Sequence, residues 1–289
     1  MKTRTAAVPI GVRRTNLEAW QRNIHDLIDW LNSVEINVVD LGPDGDKIAE
    51  VVSLAGLQVG SADLPDPEGL ISPDLETRQQ ALTVNTKYVQ ECSEFGVENF
   101  FVLMKPEDPT CSRDQNFGYM VESFTELTPV LEKTSSRIVI EGWPGPGVLV
   151  STPETYRAFF NECPSPNIGV NYDPSHLIRM GIDHIRFLEE FIDRIYHVHG
   201  KDTEISNERL YTYGNEVPTT FTTRDYGGPH WRYTIPGHGE ARWVRILEIL
   251  KASRYKGYIS IELEDTNYNG SEEGEKAGLI NSATFLASC

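Results

Sequence analysis

The sequence predicts a closed (β/α)8 barrel. Three observations carry that prediction. Eight short β-branched runs recur down the chain; each leads through a polar or Gly/Pro turn into a stretch with helical periodicity; and 289 residues suit one such barrel, which takes about 250. Strands alternating with helices argue for a parallel sheet, and eight such units suggest that it closes on itself. In order, the expected strands are TAAVPIGV (5–12), INVVDLG (36–42), LQVGSADL (57–64), NFFVLM (99–104), RIVIEGW (137–143), IGVNYD (168–173), RIYHVHG (194–200) and YISIELE (258–264). Between them LEAWQRNIHDLIDWLNS, DLETRQQALTVNTKYVQECSEFG, NFGYMVESFTELTPVLEK and ARWVRILEILKAS place apolar residues three and four apart, the spacing of a helix with one buried face. A doubly wound open sheet is the structural alternative. Neither G-x-G-x-x-G nor G-x-x-x-x-G-K-[ST] follows the early strands, so its nucleotide-binding version has no motif behind it. No repeat, low-complexity tract or linker divides the chain, and a single domain over residues 1–289 is expected.

Composition narrows the partners. With 39% hydrophobic and 10% aromatic residues the chain can bury a sizeable core, and no run approaches the roughly 18 apolar residues of a membrane span. Against 43 Asp and Glu stand 26 Lys and Arg, a formal net charge of −17 that repels phosphate backbones, so neither nucleic acid nor a membrane is an expected partner. The four cysteines (Cys92, Cys111, Cys163, Cys289) show no C-x-x-C spacing, and MKTRTAAVPIG lacks the apolar core of a secretory signal. A reduced, cytoplasmic protein without a zinc ribbon is expected.

One span breaks the alternation. Residues 201–239, between the seventh strand and its helix, are long for a connection in a compact domain, and such connections serve as lids or binding loops. Tyr211, Tyr213, Arg224, Tyr226, His230, Trp231, Arg232, Tyr233 and His238 lie here among GGP and PGHG turns, as in a folded lid over the barrel mouth.

Barrel strands are buried on both faces, so an ionisable residue near a strand's C-terminal end is either paired or functional. Four consecutive strands carry one: Glu141 ends RIVIE, Asp173 ends IGVNYD, His197 and His199 alternate in YHVHG, and Glu262 and Glu264 alternate in SIELE. Active sites of such barrels form at that face. Three carboxylates and one imidazole suit Mn²⁺ or Mg²⁺, with Zn²⁺, Co²⁺ and Fe²⁺ also compatible. Period-two alternation points both histidines one way and both glutamates one way, so spacing does not choose between His197 and His199 or between Glu262 and Glu264. His25 and His184 fall in helical stretches and read as surface or packing residues.

The segments IVIEGWPG, GVNYDPSHLIRMGID, RIYHVHGKDTEI, WRYTIPGHGEARW and GYISIELED resemble, in order and spacing, the sugar phosphate isomerase/epimerase family of the xylose-isomerase-like TIM barrels. The resemblance covers about residues 137–265 and is most specific in DPSHL and HVHGKD. It implies Glu141, Asp173, His199 and Glu262 as metal ligands, Glu141 and Glu262 as the acid/base pair, and His176 as a contact to a substrate oxygen. An arginine six residues after the ligand histidine in the family's ketose epimerases is replaced by Ile205. The family's repair endonucleases bind DNA through a larger His-rich set, which the charge and the shorter ligand list argue against.

The chemistry expected is removal of a proton next to a sugar carbonyl through an enediolate, whose oxygen charge a metal stabilises while carboxylates move the proton. Lys201 or Arg232 would counter the developing charge, Trp143 and Trp231 would wall the sugar ring, and His238 of the lid joins them as a candidate substrate contact. Two outcomes follow from the shared intermediate, an isomerase or epimerase acting on a small sugar or keto-sugar and a lyase or dehydratase eliminating from keto-sugars, 3-keto-glycosides or inososes; a non-enzymatic sugar-binding barrel is the alternative without chemistry. A homo-oligomer is compatible with each.

Overall fold

A computed structural model describes residues 8–15, 18–216 and 225–289. Thr5–Ala7 of the first expected strand, Leu17 of the first expected helix and Arg224 of the expected lid lie outside the described residues. The strands are β1 (Ile10–Arg13), β2 (Val38–Leu41), β3 (Gln58–Asp63), β4 (Asn99–Val102), β5 (Arg137–Glu141), β6 (Ile168–Tyr172), β7 (Ile195–Gly200), β8 (Asp202–Ile205), β9 (Trp231–Thr234) and β10 (Ile259–Ile261). Eight close a barrel in the order β1-β10-β7-β6-β5-β4-β3-β2. Parallel register sets Ile10 opposite Ile259, Ile259 opposite Val198, Asn99 opposite Arg137 and Glu141 opposite Asn171. Each of the eight expected strands is present, and β2, β4 and β6 are buried at every position, as strands covered on both faces require.

Local chemistry sets the helix boundaries. Helix Arg113–Thr134 starts in a capping box of Ser112 and Gln115, and helix Pro153–Glu162 starts in one made by Thr152 and Thr155, with proline in its first turn. The stretch expected as one helix from residue 17 to 33 is two, Ala19–Arg22 and Ile24–Ser33. Asn23 leaves helical geometry and its side chain accepts from His25 N–H, so a cap competes successfully with the continuing helix. No helix among the described residues is long and apolar enough to cross a membrane.

The chain forms two compact units. The first comprises residues 1–38, 173–192 and 198–289. Its helix Glu272–Leu286 packs on β1 and β10, and its buried Glu275 accepts from Trp20 Nε1 at 3.0 Å and Gln21 Nε2 at 2.7 Å, tying the helix to the start of the chain. In this unit the described part of the expected lid, residues 201–216 and 225–239, contains a two-stranded ribbon: β8 and β9 pair antiparallel, with Asp202 opposite Thr234 and Ile205 opposite Trp231, and helix Asn207–Tyr213 follows β8. Asp202 anchors its return. The carboxylate accepts from Thr203, Gly237 and Ala241 N–H, and a side chain at Gly239 would collide with Asp202 and the Thr203 carbonyl. The second unit comprises residues 39–172 and 193–197 and is packed through edge-on aromatic pairs, Tyr88 with Phe100 and Phe124 with Phe159.

Candidate active site

Asp173 follows β6 and is the N-cap of the short helix Pro174–Arg179, where Pro174 takes a first-turn position that needs no N–H donor. One carboxylate oxygen, Oδ1, accepts from Ser175 N–H at 2.8 Å. The other, Oδ2, lies 3.1 Å from Lys201 Nζ and 3.3 Å from His176 Nε2. The D-P-S-H sequence therefore places His176 one helical turn beyond the capping aspartate and facing it.

Lys201, just past β7, is 1% exposed and meets three carboxylates: Asp173, Glu262 and Glu264. It also lies over the Tyr233 ring, 4.5 Å from its centre. Glu262 further receives Arg13 Nε at 3.0 Å and faces His199 Nδ1 at 3.4 Å. Burial pushes the Glu262 carboxyl up, but Lys201, His199 and Arg13 outweigh it and hold the group well below the usual carboxylate range. Strand β10 ends at Ile261, opposite Val12, so Glu262 and Glu264 stand past the ladder where both can turn toward Lys201.

The two histidines of β7 take different partners. His197 Nε2 lies 2.7 Å from Asp40 Oδ2, both side chains fully buried, whereas His199 faces Glu262. Glu141, buried at the end of β5, accepts from Asn171 Nδ2 at 2.9 Å. Among the described residues, Asp173, His176 and Glu262 present metal-ligand atoms within 4.8 Å of one another, and so do Asp40 and His197. Buried acidic and histidine groups are thus positioned to hold a metal ion.

The remaining expected contacts divide. Trp231 is half-buried, with Arg179 stacked on its ring at 4.3 Å and Tyr233 beside it. Arg232 is engaged elsewhere: its guanidinium donates to Glu204 at 2.6 Å and to buried Asp265 at 3.1 Å, bracing β9. His238 is exposed in the PGHG turn, outside this cluster. Trp143 is half-buried, its ring laid over Gly145. His25 is exposed, and His184 is a packing residue whose Nε2 accepts from Arg242 N–H at 3.1 Å. Sequence reasoning missed Asp40 and Arg13, and it placed Tyr233 among the residues of the expected lid without a role beside His176. Asp40 near the end of VVDL and Arg13 after IGV carried the strand-end signal used for the other ligands; the contact of Tyr233 with His176, 57 positions away in sequence, carried none.

A family model described as xylose isomerase-like TIM barrel matches residues 17–289. "Uncharacterized protein YfiH" of Bacillus subtilis is 37% identical over 119 residues, 40% of this chain and 37% of that protein. Inosose dehydratase of Geobacillus thermodenitrificans is 26% identical over 151 residues, 52% of this chain and 48% of the enzyme. The matches thus span about half or less of these curated relatives. Among solved structures, 3-keto-D-glucoside 4-epimerase YcjR from E. coli shares the fold with a TM-score of 0.72 at 18% identity, covering 97% of this chain and 99% of that one.

Proposed function

The chain belongs to the xylose isomerase-like TIM barrel family, and on that footing we propose that it is a divalent-metal-dependent carbohydrate isomerase or epimerase that removes a proton next to a sugar carbonyl. The observation that carries this reading is that Asp173 and Glu262 meet at the same buried Lys201 while Glu262 faces His199 Nδ1 at 3.4 Å. Carboxylate oxygens with one imidazole fit Mn²⁺ or Mg²⁺. Glu141, Asp173, His199 and Glu262 would hold the ion; when bound, it supplies positive charge to the oxygen beside the reacting carbon.

The other roles belong to the chain. Glu141 and Glu262 are the carboxylates to take and return the proton, and His176 is the contact to a sugar oxygen. Lys201 balances the acidic cluster; Arg232, held by Glu204 and Asp265, takes no part in that role. Trp143 and Trp231 supply half-buried ring faces for the sugar. A second reading, elimination from a keto-sugar or inosose, is favoured by the relatives that are inosose dehydratases, and it starts from the same proton removal.

Elemental analysis of purified protein should find a divalent ion. A panel of free ketoses and 3-keto-glycosides in deuterated water should give an isomer of the substrate, its molecular formula unchanged except for deuterium taken up next to the carbonyl. Enone absorbance without activity on any free sugar would move the assignment to elimination. Turnover by metal-stripped protein would overturn the metal-dependent mechanism, and binding of sugars without product or deuterium uptake would make the barrel a binding protein.

A further inference from the structure

Tyr233 joins the excursion to the site. It lies on β9, is 4% exposed, and its hydroxyl has two neighbours, His176 Nδ1 at 2.7 Å and Arg179 Nη1 at 2.6 Å. Arg179 has N–H donors and no acceptor, so the tyrosine oxygen accepts from it. The single hydroxyl proton then has one acceptor within reach, the Nδ1 lone pair of His176. With Nδ1 accepting, the neutral imidazole carries its proton on Nε2, the nitrogen that lies 3.3 Å from Asp173 Oδ2.

We propose that Tyr233 is a positioning residue that fixes His176 as its Nε2–H tautomer, making His176 a hydrogen-bond donor to a sugar oxygen beside Asp173 and not a metal ligand. The inference rests on the proposed carbohydrate chemistry for the identity of the acceptor, and on hydrogen-bond directionality for the tautomer. It separates His176 from the carboxylates it stands among, since a protonated nitrogen has no lone pair to offer a cation. It also gives the β8–β9 ribbon a role in specificity. The ring holds its place through Trp231 at 4.8 Å and Lys201, while the hydroxyl, chained to Arg179, selects which face of the imidazole donates.

The test is the ¹⁵N imidazole spectrum of the full chain at about pH 8 with Mg²⁺, the His176 signals being those absent from His176→Gln. The expected result is an unprotonated Nδ1 and a protonated Nε2. Tyr233→Phe keeps the ring and removes the hydroxyl; it should redistribute His176 between tautomers, leave metal content unchanged, and lower kcat by about 10- to 100-fold, the usual scale for losing a partner that orients a site residue. A His176 protonated on Nδ1 in the unaltered protein would overturn the inference, as would a tautomer unchanged in Tyr233→Phe. The spectrum needs no turnover, so an inactive protein showing the Nε2–H form refutes the proposed reaction and leaves the tautomer assignment standing, whereas an active enzyme with the opposite tautomer does the reverse.

Discussion

Two places in the barrel join histidine to carboxylate, and they are balanced differently. Asp40 and His197 meet at 2.7 Å, one acid against one imidazole, both inaccessible to solvent. Two residues further along β7, His199 faces Glu262, and there Asp173, Glu262 and Glu264 share Lys201, with Arg13 adding a second cation to Glu262. At the first place one acid meets one imidazole. At the second, three carboxylates meet two permanent cations, Lys201 and Arg13, and the remaining negative charge is what a divalent cation or a sugar's hydroxyl groups relieve. H-x-H thus supplies two histidines of identical type and orientation along the strand, and the acid around each one, not the strand, assigns its role.

The contrast is most severely tested by neutralising the cluster. Glu262→Gln or Asp173→Asn should abolish divalent-metal retention in elemental analysis and lower turnover by about 10³-fold or more, the combined scale of losing a proton-transfer group and charge stabilisation. Full metal retention in both variants would place the cation elsewhere. For the paired site, Asp40→Ala should cost about 1–3 kcal/mol in denaturant unfolding, because His197 is left buried without its hydrogen-bond partner, while the metal-to-protein ratio stays as it was. Loss of metal with unchanged stability would invert the two regions.

His176→Ala should retain the ion and lose about 10²-fold in rate; unchanged kinetics would return His176 to a packing role. The smallest effect concerns His184, away from both acidic sites. Burial pushes its imidazole down to about 4 from 6.5, so the unfolded chain takes up a proton that the folded one resists. Stability is therefore full above about pH 6.5 and falls as pH drops toward 4. Between pH 7 and pH 5 the loss should be about 1–2 kcal/mol, discounted for partial solvation, and His184→Gln should flatten that part of the Tm profile.

The fold was legible because its signals are local. Runs such as FFV (100–102) and IVI (138–140) are apolar throughout, as strands covered on both faces must be, and the apolar spacing of the intervening stretches marks the helices. The Asn23 break was less legible, since the apolar spacing of residues 17–33 continues through it while a side-chain cap decides the outcome. Site residues were legible as a class, acids and histidines at strand ends. Their division of labour was not: Arg232 and Lys201 are both basic residues beside the lid, yet one braces Glu204 and Asp265 and the other sits among the carboxylates.

By itself the sequence determined the eight strands, their parallel alternation with helices, and the set of residues from which a metal centre could be drawn, because periodicity and strand-end placement are properties of neighbours along the chain. Only the tertiary structure decided that His197 faces Asp40 while His199 faces Glu262, that Lys201 gathers Asp173, Glu262 and Glu264, and that Tyr233 reaches His176. Those partners are separated by up to 157 positions in sequence, and the hydrogen bonds and charge balance that give each group its role exist only once barrel closure and ribbon pairing bring them within about 3 Å.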